Sequence, residues 1–206
     1  YLLSGSVLQA DVIISMPKLK THRKTGVTIN CKNMVGANGD KNYLAHYRVG
    51  NAQHGGDEYP PDLSFFANLC YRWDRIARAH ILVRNTMGSR YLYKVLNQPF
   101  AMLQKIYRRI TGQDLLLGHG DWHGNDTTWR MCLDLNQIVL FADQDGRLHD
   151  TPQRKYFSVV DGVIAGEADG PLSPTPKAVG YIACGMGSPF AVDYISMYQM
   201  GFDPEK

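Results

Sequence analysis

The stretch from Ala10 to Gly39, ADVIISMPKLKTHRKTGVTINCKNMVGANG, constrains the fold of this chain more than any other. It opens with a short apolar run, Val12-Ile13-Ile14, which Pro17 stops. Lys18, Lys20, His22, Arg23 and Lys24 follow. A second apolar set, Val27, Cys31, Met34 and Val35, is spaced i, i+4, i+7, i+8, which fits one face of a helix. The stretch therefore reads as strand, basic loop, helix. Ligands of open α/β sheets sit outside the carboxyl ends of strands, and the basic loop stands at that point.

The totals set the class. A chain of 206 residues, 44% hydrophobic and 20% charged, is long enough to bury a sizeable core. A net charge of +3 with no basic stripe argues against nucleic acid. No apolar run has the roughly 18 residues of a membrane span, so no membrane partner is expected. The chain starts at Tyr1 without the charged and apolar regions of a signal peptide, and the expectation is a fragment lacking its N-terminal part. Cys31, Cys70, Cys132 and Cys184 form no C-x-x-C pair, so no iron–sulfur cluster is expected to be held by this chain alone. Scattered cysteines on apolar faces read as reduced core residues of a cytoplasmic protein.

In chain order, Val7 to Ser15 reads as a buried strand and Thr25 to Val35 as a helix. The polar segment Asn38 to Pro61 reads as a long loop. From Asp62 to Arg84 the period is helical, with Asp62 as cap. A second helical region, about Arg90 to Ile110, contains Pro99, which should kink or divide it. Together these form a helical insertion over 62–118. HGDWHGNDTTWR (His119 to Arg130) is followed by a helix carrying Trp129, Cys132, Leu133 and Asn136, with Asp126 at the N-cap position. Tyr156 to Val160 and Ala178 to Cys184 read as strands, and Ala165 to Pro176 as a loop. Ser188 caps a last helix, with Pro189 in its first turn.

Three apolar strands are each followed by a polar or Gly-rich loop. If they run parallel, Lys18, Lys20 and His22 meet Asp161, Glu167 and Asp169, and also Gly185 and Gly187, around one cleft. That combination suits an anionic ligand held by lysines and backbone N–H groups, with a divalent metal or an acid/base carboxylate opposite. Each part has a plainer reading. Lys18 and Lys20 also read as a solvated face, and His22 as a hydrogen-bonded loop residue. Asp161 with Gly162 also reads as a turn cap. His119 and His123, near Asp121 and Asp126, form the densest ligand-like cluster, but the surrounding glycines forbid the helix that would align the two imidazoles. Arg130 pairs with Asp126 by the i, i+4 rule or reaches an anion. G-x-S-x-G and G-x-x-x-x-G-K-[ST] are missing.

PKLKTH, GVT, KN-x-x-G, NGDKN and HGGDEYP, followed by HGDWHGNDTTWR, RKYFSVVDG, AGEADGPLSPTP and FAVDYISMYQMGFDP, resemble the domain of unknown function 362 family of bacteria and archaea. The resemblance implies no assigned activity. Some family members carry ferredoxin-like iron–sulfur modules, whose cysteine spacing this chain lacks. It also implies Gly where this chain has Ala168, and a member normally begins well before a residue like Tyr1.

The expected fold is α/β, a single domain over 1–206 with a mostly parallel or mixed sheet, flanking helices and the helical insertion. The expected function is an enzyme acting on an anionic small molecule, with a divalent metal bound by Asp161, Glu167 and Asp169. Lys18, Lys20, Lys32, Arg130, Gly185 and Gly187 would bind the anion, and His22, His123 or Asp161 would transfer protons. The alternative is a non-catalytic binding or electron-transfer accessory protein that docks a redox partner through the same loops. Charged groups converging in a concave pocket favour the first, and charges spread over a flat rim the second.

Overall fold

The computed structural model describes residues 1–47, 51–52, 55–60, 64–81, 84, 86–112, 120, 122 and 124–205. The elements are α1 (Gly5–Gln9), β1 (Val12–Ser15), β2 (Lys18–His22), β3 (Gly26–Thr28), α2 (Asn30–Asn33), α3 (Phe65–His80), α4 (Met87–Thr111), α5 (Thr127–Phe141), β4 (Lys155–Glu167), β5 (Thr175–Met186) and α6 (Pro189–Gln199). They fall into two compact units, Tyr1–Ala45 with Asp126–Lys206, and His46–Asn125. The range 62–118 falls within the second unit, whose described helices there are α3 and α4.

The first unit is an α/β fold on a mixed five-stranded sheet, and β4 is its spine. One edge of β4 pairs parallel with β1 (Ile13↔Tyr156) and, farther along, with β2 (Lys18↔Asp161, Lys20↔Gly166). Pro17 lies between β1 and β2, and its carbonyl accepts the Asp161 N–H at 2.9 Å. The other edge of β4 pairs antiparallel with β5, and β3 closes antiparallel on β2.

Several expectations change here. Val7 belongs to α1, not to the first strand. The basic loop is strand β2: Lys18 to His22 alternate, with Leu19 fully buried between the two lysines. The helix expected from Thr25 gives way to β3, because Val27 and Thr28 are β-branched and pair with Thr21 and Lys20 across a hairpin. Helix α2 begins only at Asn30. The expected loop Ala165 to Pro176 shrinks to 168–174, since β4 runs on to Glu167 and β5 starts at Thr175. Pro176 sits in β5, whose outer edge pairs with no strand among the described residues, a position where its missing N–H costs nothing. Helix α4 is not divided at Pro99. The Asp62 cap lies outside the described residues; Ser64 caps α3 instead, accepting from the Ala67 N–H.

Two hydrophobic clusters cover one face of the sheet. Met131, Leu135, Val139 and Leu140 of α5 pack with Met34, Val35, Leu44 and Tyr156. Val192 of α6 packs with Leu19, Ile29, Val160 and Ala165. Gly185 is needed there, because a Cβ on it would run into the Val192 side chain. The buried guanidinium of Arg154 donates to the carbonyls of Leu8, Ala10, Val139 and Ala142, tying the ends of α1 and α5 together. A cation suits those carbonyl-rich helix C-termini.

In the second unit α3 and α4 pack through Ala67, Cys70, Phe100 and Tyr107. Trp73 stacks on Phe100 at 5.4 Å and its Nε1 donates to Asn97 Oδ1 at 2.9 Å. Thr86 and Ser89 form a reciprocal capping box at the start of α4, and Gly112 ends it in the left-handed conformation.

Candidate functional site

The α/β unit has a groove of about 300 Å³. Its wall comes from Thr25, Val27 and Ile29 around β3, from Cys31 and Lys32 of α2, and from Trp129, Cys132 and Leu133 of α5; Phe190, Asp193, Tyr194 and Met197 of α6 complete it with Pro204. Helices α5 and α6 supply mostly apolar side chains and α2 supplies Cys31 and Lys32, so the groove is mainly hydrophobic with a few polar groups. That is the usual character of a small-molecule site.

The floor is a buried polar network. Asp193, the sole acid of α6, is nearly sequestered from solvent. Its Oδ1 accepts from the Asn30 backbone N–H and from Asn30 Nδ2, both at 2.9 Å, and its Oδ2 accepts from the Cys31 N–H at 2.8 Å. These N–H groups open α2 and have no partner within the helix itself. Burial pushes the Asp193 carboxyl above its ordinary value, and the hydrogen bonds from Cys31 and Asn30 oppose that rise. The Tyr156 hydroxyl donates to Asn30 Oδ1 at 3.1 Å. Asn136 of α5 donates to the carbonyls of Cys31 at 2.9 Å and Cys132 at 2.7 Å. Thus α2, too short to stand alone, is held from three sides.

This anchoring positions Lys32. Among the described residues no carboxylate lies within 4.0 Å of its ammonium. Desolvation lowers its pKa, and the fields of Lys24 and Lys20 add to that effect, against a raising influence of Cys132. Burial pushes the Cys132 thiol up to about 11 and the Cys31 thiol higher still. Both are therefore protonated near neutrality and are poor nucleophiles. Trp129 brings an aromatic face to the groove, and the Arg130 guanidinium sits 5.0 Å from its ring centroid.

The residues singled out from sequence divide sharply. Lys32 lines the groove; among the described residues none of the other candidates does. Lys18 is spent on Asp161, Nζ to Oδ2 at 2.6 Å, and that pair holds the Asp161 carboxyl below its ordinary value. Glu167 pairs with Lys177 at 2.7 Å, and Asp169 with Arg23 at 3.2 Å. The three expected metal ligands thus each face a cation, and among the described residues no trio of His, Cys, Asp and Glu stands together. Lys20 donates to the Pro171 carbonyl at 3.3 Å. His22 is buried, not facing a cleft, and its Nδ1 accepts from the Lys24 N–H at 3.0 Å. Arg130 makes the i, i+4 pair with Asp126 at 2.9 Å.

The basic and acidic residues do meet, on the parallel β2–β4 pair, but Gly185 and Gly187 do not join them, because β5 runs antiparallel to β4. Gly185 lies opposite Ser158, whereas Lys20 lies opposite Gly166. Those positions are separated along β4 by roughly 25 Å at ~3.3 Å per residue. The Gly187 N–H is committed to the Tyr156 carbonyl at 2.9 Å. His119, Asp121 and His123 lie outside the described residues. Among the described residues near them, Trp122 Nε1 and Asn125 Nδ2 both donate to the Asp57 carbonyl within the inserted unit.

Sequence reading missed Asp193, Asn30, Tyr156 and Asn136. The available signal was a lone carboxylate in the apolar helix PFAVDYISMYQ, since an unexposed acid requires partners. No curated protein and no solved structure matches the chain. A family model matches residues 1–198, nearly the whole chain, and the chain belongs to that family, the domain of unknown function DUF362.

Proposed function

We propose that this chain is an enzyme that binds a small molecule with one anionic group and an apolar, planar body in the groove between α2, α5 and α6. Lys32 Nζ takes the anionic group, and Trp129, Phe190 and Tyr194 receive the body. The observation that carries the reading is an ammonium set in an apolar groove with no carboxylate within 4.0 Å of it among the described residues, the Asp193 carboxylate of the same groove being taken up by Asn30 and Cys31. A desolvated cation of this kind attracts an anion strongly, because little water screens the pair. The lowered pKa of Lys32 also makes its proton easier to release, which suits an acid/base role on the bound molecule. The sheet-edge metal site is not carried forward, since its carboxylates are neutralised by Lys18, Lys177 and Arg23. Free cysteines fit a reducing, cytoplasmic setting.

The rival reading, an accessory protein that docks a partner, draws support from those same three exposed ion pairs. It gives Lys32 no part in small-molecule binding. Calorimetric titration of the full chain with naphthalene-2-sulfonate, with naphthalene-2-methanol as neutral control, separates the two. The anion should bind the more tightly. Lys32→Met should weaken it by about tenfold to a hundredfold, the range for losing one charge-assisted hydrogen bond, while Lys32→Arg retains most of the affinity. Equal affinity in wild type and Lys32→Met would overturn the assignment.

A further inference from the structure

Helix α4 carries Arg90, Lys94, Lys105, Arg108 and Arg109 and no acidic residue over its 25 residues. Its inner face, Ser89, Tyr93, Asn97, Phe100, Gln104 and Tyr107, recurs at three- and four-residue steps and is the less exposed side, with Asn97, Phe100 and Tyr107 meeting α3. On the helical wheel a second apolar stripe lies beside it: Leu92, Val95, Met102, Leu103, Ile106 and Ile110 are all exposed. Met102 is 65% exposed and Ile110 79%. Lys94, Lys105 and Arg109 flank that stripe on its far side, at the 100° per residue of an α-helix. The helix therefore presents, in order around its axis, a face packed on α3, a bare apolar stripe and a cationic ridge.

We propose that this surface of the inserted unit docks on a bilayer containing anionic lipid, with α4 lying in the plane of the interface. Apolar side chains beside Lys and Arg on one helix are the features that bind such an interface: the stripe enters the acyl boundary and the cations meet headgroup phosphates. Crossing is a different matter, since no helix among the described residues is long and apolar enough to span a membrane. A second copy of the chain is a poor occupant, because an α4–α4 contact sets like charges against each other with no carboxylate on either helix to relieve them. The proposal departs from the expectation of no membrane partner, which rested on the lack of a span.

Flotation of the full chain with vesicles of phosphatidylcholine, with and without phosphatidylglycerol, tests it. The chain should float with the anionic vesicles and stay behind with the neutral ones, and added salt should release it. Changing Lys94, Lys105 and Arg109 together to Gln should lower partition about a hundredfold, at the usual contribution of each surface cation. Changing Val95, Met102 and Ile106 together to Gln should abolish flotation, with the helical circular dichroism of both variants unchanged. In a separate Ile106→Trp chain, emission should shift to the blue on anionic vesicles only. Equal flotation on neutral vesicles, flotation unaffected by either triple change, or no shift in the Ile106→Trp chain would each overturn the proposal.

Discussion

Lys32 gives up water without gaining a carboxylate within 4.0 Å among the described residues, and that has a cost the fold must carry. Burial disfavours its charged form, so its folded pKa lies below the ordinary 10.5. Between those two values the unfolded chain binds more protons than the folded one, so stability rises with pH there. The contribution is complete above 10.5 and is lost as pH falls through the folded pKa. At neutral pH the Lys32→Met chain should therefore melt at a higher temperature than wild type. The difference should narrow as pH is raised toward 10.5, as thermal melts in a pH series would record. Higher stability with lost anion binding is the expected signature of a residue kept for function. A Lys32→Met chain that melts lower than wild type at neutral pH would mean that the lysine is a structural tether instead.

At the scale of elements, the β4–β5 connection is a closely constrained piece of backbone. Ala168 adopts φ 62°, a left-handed conformation that a Cβ makes unfavourable. Its carbonyl is held by Thr21 Oγ1 at 2.9 Å and by the Gly170 N–H at 2.8 Å, and Gly170 itself lies so close to the Thr21 carbonyl that no side chain fits. The resemblance that implies Gly at this position has its physical reason in that angle. Ala168→Gly should relieve the strain and stabilise the chain by about 1 kcal/mol, less the added freedom of the unfolded state. Chemical denaturation decides it, and a lower midpoint would show that the Thr21 contact outweighs the strain. This connection also explains why the shared cleft was misread. Parallel neighbours need a crossover of a dozen or more residues, usually a helix, and AGEADGPLSPTP contains none. Its brevity was a hairpin signal. Strand β2 was likewise legible in the alternation of Lys18, Leu19 and Lys20, although Pro17 and the charges suggested a loop. The helices α3 to α6 were legible because their periodicity is local. The groove was not, since Asp193 and Asn30 are 163 residues apart and their pairing leaves no local pattern.

At the scale of the whole molecule, the groove proposed to bind a small molecule and the helix proposed to meet a bilayer lie in different units. The sheet, both of its hydrophobic clusters and every lining residue of the groove come from Tyr1–Ala45 and Asp126–Lys206. The amphipathic helix and the cluster it packs on come from His46–Asn125. A unit that holds its own core can fold without the inserted one, provided the chain is rejoined. The entropy of closing the connection changes slowly with its length, roughly 0.6 kcal/mol per doubling, so a flexible Gly/Ser linker in place of residues 46–125 adds no large penalty. The excised chain should unfold in one cooperative step, keep its far-UV spectrum and bind naphthalene-2-sulfonate with the affinity of the full chain. It should no longer float with anionic vesicles. Loss of cooperative unfolding across a series of linker lengths would show that the two units fold as one. Retained flotation would move the membrane surface from α4 to the α/β unit.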